Sequence, residues 1–238
     1  MANSIASILE AIPVLLIGAT VTLRLAIASI ALGLLGGSLL GIARLSRHGP
    51  LRWASRIYIE FFRGTPLIVQ LFMVYFGIPA LAQSLGSGLR LTPWIAAILA
   101  LSLNSSAYIA EIIRAGIQSI ELGQHEASES LGLSQSQVMQ YVIFPQALRR
   151  MIPPLGNEFI VMLKDTSIVS VIGFQEMFMQ GKLIVARTYQ VFEIYLTVAL
   201  MYLVMTLVLS YLLGKVEVWL NPTTPSAAGA KPLELASE

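Results

Sequence analysis

Residues 25–43, LAIASIALGLLGGSLLGIA, hold nineteen consecutive positions without a charge. At 1.5 Å per residue, about 20 apolar residues in a helix cross a hydrocarbon core of about 30 Å. The stretch is therefore long enough to span a bilayer. Charge-free runs of 23, 20 and 21 residues follow at 67–89, 91–110 and 194–214. A fifth stretch, 152–172, has the right length but carries Glu158, Lys164 and Asp165. Composition agrees: 56% of the 238 residues are hydrophobic, 12% are charged and the mean hydropathy is +0.76. Soluble domains carry about 25% charged residues, so a polytopic all-α membrane protein is the expected class. Cysteine is absent, which excludes disulfides, thiolate metal sites and Cys nucleophiles.

Working outward, the first run extends back through 12–23 and is broken only by Arg24, whose long stem can carry its charge to the headgroups. The stretch 5–16, with Pro13 inside it, is expected to lie in the interface as a short amphipathic helix. No basic region precedes the apolar run and no cleavage or lipidation motif is visible, so no signal peptide is assigned. Arg44, Arg47, Arg52, Arg56, Arg63, Arg114, Arg149, Arg150, Lys215 and Lys231 fall on one side of the spans. Only Arg90, Lys182 and Arg187 fall on the other. The positive-inside rule then places the N-terminus outside and the C-terminus in the cytoplasm, which requires an odd number of spans. Five satisfy it, at about 12–43, 57–81, 92–116, 152–172 and 192–214, within a single transmembrane domain over 1–220. The Pro-, Ala- and Thr-rich tail 221–238 is expected to be flexible and cytoplasmic. A pI near 9.0 follows from basic cytoplasmic loops and does not imply nucleic acid.

Gly33, Gly37 and Gly41 stand four apart on the first span, the spacing at which small residues admit a second helix closely. No internal repeat is evident. Between the third and fourth spans, about 121–146, the chain reads as a helix, a stop at Gly132 and a second helix opened by a Ser134–Gln137 capping box. By spacing alone this loop is a docking element or a connector.

The loop resembles the E-A-A-x3-G-x9-I-x-L-P segment of bacterial ABC-importer permeases, with Glu126, Ala127, Gly132 and Pro145 in register. Ser128, Val142 and Phe144 replace the second Ala, the Ile and the Leu. Residues 18–23 (GATVTL), 62–66 (FRGTP), 103–108 (LNSSAY), 145–147 (PQA) and 164–167 (KDTS) are similar to the polar amino-acid subfamily, the histidine, glutamine, glutamate and arginine permeases. The likeness covers roughly 15–220. It implies a type I importer permease fold in the bacterial inner membrane, paired with a second permease as a homo- or heterodimer. It also implies two cytoplasmic ABC ATPase subunits, a periplasmic or extracellular amino-acid-binding protein, and a docking loop formed by Glu126, Ala127, Gly132 and Pro145. No G-x-x-x-x-G-K-[ST] phosphate loop occurs, so no catalytic residue, cofactor or metal is assigned and ATP hydrolysis is expected on a partner.

Asn104, Tyr108 and Glu111 share one face of the third span, and Glu158 and Asp165 one face of the fourth. Carboxylates in hydrocarbon must be paired or wetted. Lys164 and Asp165 fit a structural role or a substrate-lining one. Glu158, beside Asn157, fits the ammonium of an amino acid. Asn104, Thr65 and the backbone near Gly64 and Pro66 fit its carboxylate, with Tyr108 nearby. Glu60 and Arg63 read as an interfacial pair. An uncompensated carboxylate ranks basic amino acids first, glutamine second and acidic ones last. A secondary amino-acid carrier is the alternative, and it leaves the 126–145 loop unexplained. The H-E at 125–126 lacks a second His at the fifth position, where Glu129 stands, which argues against a zinc protease.

Overall fold

A computed structural model of the chain describes residues 2–220, with side chains from Ile8 onward. The tail at 221–238 lies outside the described residues. The described chain is built of helices, taken here as α1 (Ala2–Leu45), α2 (Gly49–Gly64), α3 (Leu67–Ser84), α4 (Pro93–Gln118), α5 (Leu122–Ser130), α6 (Gln135–Ile172), α7 (Met177–Thr188) and α8 (Val191–Leu220). By length and hydropathy, α1, α3, α4 and α8 can each cross a bilayer. The charged fifth stretch lies in α6, which together with α7 can form one further span bent by 49°.

Two segments differ from expectation. Residues 5–16 form no separate interfacial helix; they continue into α1 without a break, with Pro13 inside. Ala11, Leu15 and Ala19 recur every fourth residue and are buried against Met177, Ile194 and Val198 of α7 and α8. That burial draws the segment into the bundle. The second expected span, 57–81, is divided at Thr65 and Pro66, both extended. A residue before proline is disfavoured in the α region, and the chain resumes as α3 after the break. Residues 57–64 thus belong to α2, whose Arg52, Arg56, Glu60 and Arg63 make one charged stripe.

Two π turns interrupt longer helices, at Met73–Gly77 and Val138–Ile143. Each comes shortly before a proline, Pro79 and Pro145. Proline has no N–H to close an i→i−4 bond, and a locally widened turn accommodates the loss.

The centre is α4, where Ala96, Ala97, Ala100, Ser105, Ala107, Ile109 and Ala110 are fully buried. Its main partner is α1, which runs parallel to it: Gly33 faces Ser105, Gly37 faces Ile109 and Gly41 faces Ile113. A Cβ at Gly37 would lie 2.6 Å from Ile109 Cβ and 2.9 Å from the Ser106 carbonyl. Only a residue without a side chain lets the two helices approach this closely.

Gly37→Leu should therefore destabilise the protein by about 1–3 kcal/mol through overpacking against backbone. A Cβ at Gly214 meets nothing within 4 Å, so Gly214→Ala should be neutral or stabilising by up to about 1 kcal/mol. Thermal unfolding of the detergent-solubilised variants compares the two; equal melting temperatures would refute the close-contact account.

Candidate functional site

The break between α2 and α3 leaves carbonyls at the end of α2 without helical partners. Gln70 closes them: its Nε2 donates to Phe62 O at 2.8 Å, Thr65 O at 3.0 Å and Thr65 Oγ1 at 2.8 Å. Its Oε1 accepts from Asn104 Nδ2 at 2.9 Å. The Thr65 hydroxyl donates to Phe61 O. Thr65 and Asn104 are thus joined through Gln70, at the break that follows Gly64, and their polar atoms are engaged with Gln70 and with α2. Gln70 was not singled out in the sequence. Its signal was a lone amide in an apolar run, one turn past a proline.

On the adjoining face of α4, about 100° round from Asn104, Ser105 Oγ donates to Glu158 Oε1 at 2.9 Å. Ser105 is fully buried, with Gly33 of α1 against it, and Glu158 is half-buried. Asp165, two turns further along α6, is near enough for the two carboxylates to interact electrostatically. Asn157 turns elsewhere. It lines a cavity of about 460 Å³ between α1, α6 and α8, whose other walls include Ile30, Leu34, Leu213 and Glu217. The expected residues therefore form two groups on adjoining faces of α4. Gly64, Thr65 and Asn104 lie on the α2–α3 side; Glu158 and Asp165 lie on the α6 side.

Tyr108 belongs to neither group. The Arg63 guanidinium lies over its ring, 5.5 Å from the centroid. The expected Glu60–Arg63 pair does not form: Glu60 accepts from Arg56 one turn away at 2.6 Å, while Arg63 reaches Glu111 at 3.8 Å. Helical i, i+4 spacing favours the first pairing, and packing of α2 on α4 supplies the second.

The 121–146 loop has the local structure that its spacing predicted. α5 ends at Ser130, Gly132 is left-handed at φ 81°, and its N–H donates to Glu129 O at 2.9 Å. Gln137 Oε1 accepts from both the N–H and the hydroxyl of Ser134, each at 2.9 Å. Ile120, Val138, Ile143, Ala147 and Met151 form a small core that seats the loop on the end of α4. Outside that core, Glu126, Ala127, Gly132 and Pro145 are exposed, and Leu122, Leu131 and Tyr141 stand 76%, 83% and 65% exposed beside them.

A second buried polar group escaped the sequence reading. Glu176 is fully buried and caps α7, accepting from Phe178 N at 2.8 Å and Met179 N at 2.7 Å. Tyr202 of α8 donates to it at 2.9 Å, and Thr22 of α1 accepts from Met177 N at 3.2 Å. The local signal was an acidic residue just before an apolar helix and after the left-handed Gly173. Its partners on α1 and α8 lie far away in sequence.

Residues 29–221 match the family of binding-protein-dependent transport system inner membrane components. The glutamine transport system permease protein GlnP of Escherichia coli (strain K12) is 43% identical over 211 residues, 89% of this chain and 94% of that protein. The arginine transport system permease protein ArtQ of Bacillus subtilis (strain 168) is 38% identical over 206 residues, 87% of this chain and 92% of that one. Among solved structures, a chain from the crystal structure of an amino acid ABC transporter with histidines superposes with a TM-score of 0.83 at 43% identity, covering 89% and 96% of the two chains. A chain of the inward-facing MetNI methionine ABC transporter shares the fold, with a TM-score of 0.69 at 20% identity over 88% and 97% of the chains.

The buried cap gives a stability test. Glu176→Ala removes an N-cap worth about 1–2 kcal/mol and also the charge-assisted hydrogen bond from Tyr202, worth about 1.5–3 kcal/mol. Tyr202→Phe removes that hydrogen bond alone and should cost only about 1.5–3 kcal/mol. Unfolding midpoints in the order wild type, Tyr202→Phe, Glu176→Ala would agree; a neutral Glu176→Ala would not.

Proposed function

The chain belongs to the family of binding-protein-dependent transport system inner membrane components, and we propose from that premise how it recognises its cargo and receives its energy. It is the multi-pass inner-membrane permease subunit of an ABC-type importer of polar amino acids, and it is not itself catalytic. In this family the permease works with ATPase subunits and a binding protein. Our reading is a single domain over 1–220 with five crossings, outside N-terminus and cytoplasmic C-terminus. It pairs with a second permease and docks two ATPase subunits through the 121–146 loop. The lysine and arginine asymmetry supports the orientation. The exposed Leu122, Leu131 and Tyr141 around Glu126 support docking, because apolar side chains in a cytoplasmic loop gain by being covered.

The observation that carries the substrate reading is the state of Glu158. Its carboxylate is bonded to a neutral hydroxyl, no salt bridge reaches it among the described residues, and Asp165 adds a second negative charge nearby. Lys164, the nearest cation in sequence, acts on Asp165 but is exposed on another face of α6 from Glu158. Such a site attracts an ammonium group and, beyond it, a cationic side chain; an acidic substrate would be repelled. The relatives' named cargoes, glutamine and arginine, are both polar. We rank basic amino acids first and glutamine second. Asn104, Thr65 and Gly64 supply the carboxylate side of the path once the Gln70 network opens, with Tyr108 toward the Arg63 end. Asn157 has its place in the groove against α8.

Two measurements test this reading. Glu126→Lys reverses a charge on the docking loop, and Gly132→Val forces a β-branched residue into a left-handed turn. Both should abolish uptake and substrate-stimulated ATP hydrolysis by the reconstituted transporter while the permease still inserts; wild-type rates would exclude docking at this loop. In proteoliposome competition assays, Glu158→Gln should weaken arginine or histidine transport about tenfold more than glutamine transport, as expected when a charge-assisted contact is lost. Equal loss for all three would make Glu158 structural.

A further inference from the structure

Four charged side chains from three helices meet where the charge-free runs of α1 and α4 end. Arg44 comes from the last turn of α1 and Arg63 from the last turn of α2, while Glu111 and Arg114 come from α4. Arg114 grips both oxygens of Glu111 through Nε and Nη2. Arg63 approaches the same carboxylate at 3.8 Å, and Arg44 acts on it electrostatically. Glu60, the carboxylate nearest Arg63 along the chain, is held by Arg56. Three guanidiniums therefore share one carboxylate, and the Arg44 Nε is buried without a hydrogen-bond partner.

A clamp between helices needs one positive charge for one negative. Here Arg114 alone answers Glu111 in a forked geometry, leaving an excess of two positive charges beside apolar segments, one of them stacked on Tyr108 without a counter-charge. Partly buried charge without a counter-charge is costly, and an anion relieves the cost. The cluster is open to one: the Arg63 and Arg114 side chains are 42% and 29% exposed. It also lies at the ends of two membrane-crossing runs, the depth at which lipid phosphates sit. Guanidinium forks match the planar spacing of phosphate oxygens.

We propose that Arg44, Arg63 and Arg114 form a phosphate-binding site at the membrane boundary and that its ligand is the phosphodiester headgroup of an anionic phospholipid. The site holds the ends of α1, α2 and α4 around one headgroup, next to the point where the docking loop begins. It does not depend on the substrate reading of Glu158, which meets another face of α4.

The test is native mass spectrometry of the assembled transporter after delipidation, titrated with dioleoylphosphatidylglycerol or dioleoylphosphatidylcholine. Phosphatidylglycerol should be retained over phosphatidylcholine, and each arginine removed should lower that preference about fivefold. Arg44→Gln and Arg63→Gln are independent variants, so a failure of either to assemble leaves the other. Arg56→Gln, on the exposed stripe of α2, should change nothing. Glu111→Gln separates this site from a clamp: removing the only carboxylate should increase phosphatidylglycerol retention, whereas a clamp would loosen and lose it. Displacement of the lipid by millimolar inorganic phosphate would keep the site and reassign its ligand to free phosphate. Equal retention of the two lipids, or unchanged preference in both Arg44→Gln and Arg63→Gln, overturns the proposal.

Discussion

The close approach of α1 to α4 is the contact on which the remaining arrangement depends. Four glycines of α1 lie against Ser105, Ser106, Ile109 and Ile113. With no side chains on that face, α4 is drawn into the centre, and its small residues from Ala96 to Ala110 are buried. A helix so enclosed must present each neighbour with a different face. Asn104 meets α3, Ser105 meets α1 and α6, Ser106 meets Tyr58 of α2 at 2.8 Å, and Tyr108 meets Arg63. Four residues within little more than one turn of one helix thus distribute polar contacts to four others.

A membrane interior supplies no water to unpaired backbone or side-chain groups, so each interruption of a helix needs a local remedy. Gln70 supplies one at the α2–α3 break by donating to three oxygens at once. Glu176 supplies another at the start of α7, where its carboxylate satisfies two backbone N–H groups and fixes the helix against α8 through Tyr202. Where a proline removes a donor, the helix widens into a π turn before Pro79 and Pro145. These devices satisfy the backbone at breaks in the segments around Glu158 and the 121–146 loop.

The 121–146 loop and Glu158 are joined by α6. The loop core of Val138, Ile143 and Ala147 lies at one end of that helix, and Glu158 and Asp165 lie further along it. Gly132 and the Ser134–Gln137 box fix the angle at which the loop enters α6.

Sequence alone determined the class, the long apolar helices, the packing role of Gly33, Gly37 and Gly41, and the turn geometry at Gly132 and Ser134. Each of these rests on period, length or a local capping rule, and such rules act within a few residues. Tertiary structure alone decided the partners. Arg63 chose Glu111 over Glu60, Asn104 turned to Gln70, Ser105 reached Glu158, and residues 5–16 joined α1 rather than an interface. Those choices join residues 34 to 53 positions apart or more, and they follow from which helix faces the α1–α4 contact brings together. A one-dimensional pattern specifies what a face contains, whereas the helix that covers it is set by close packing in three dimensions.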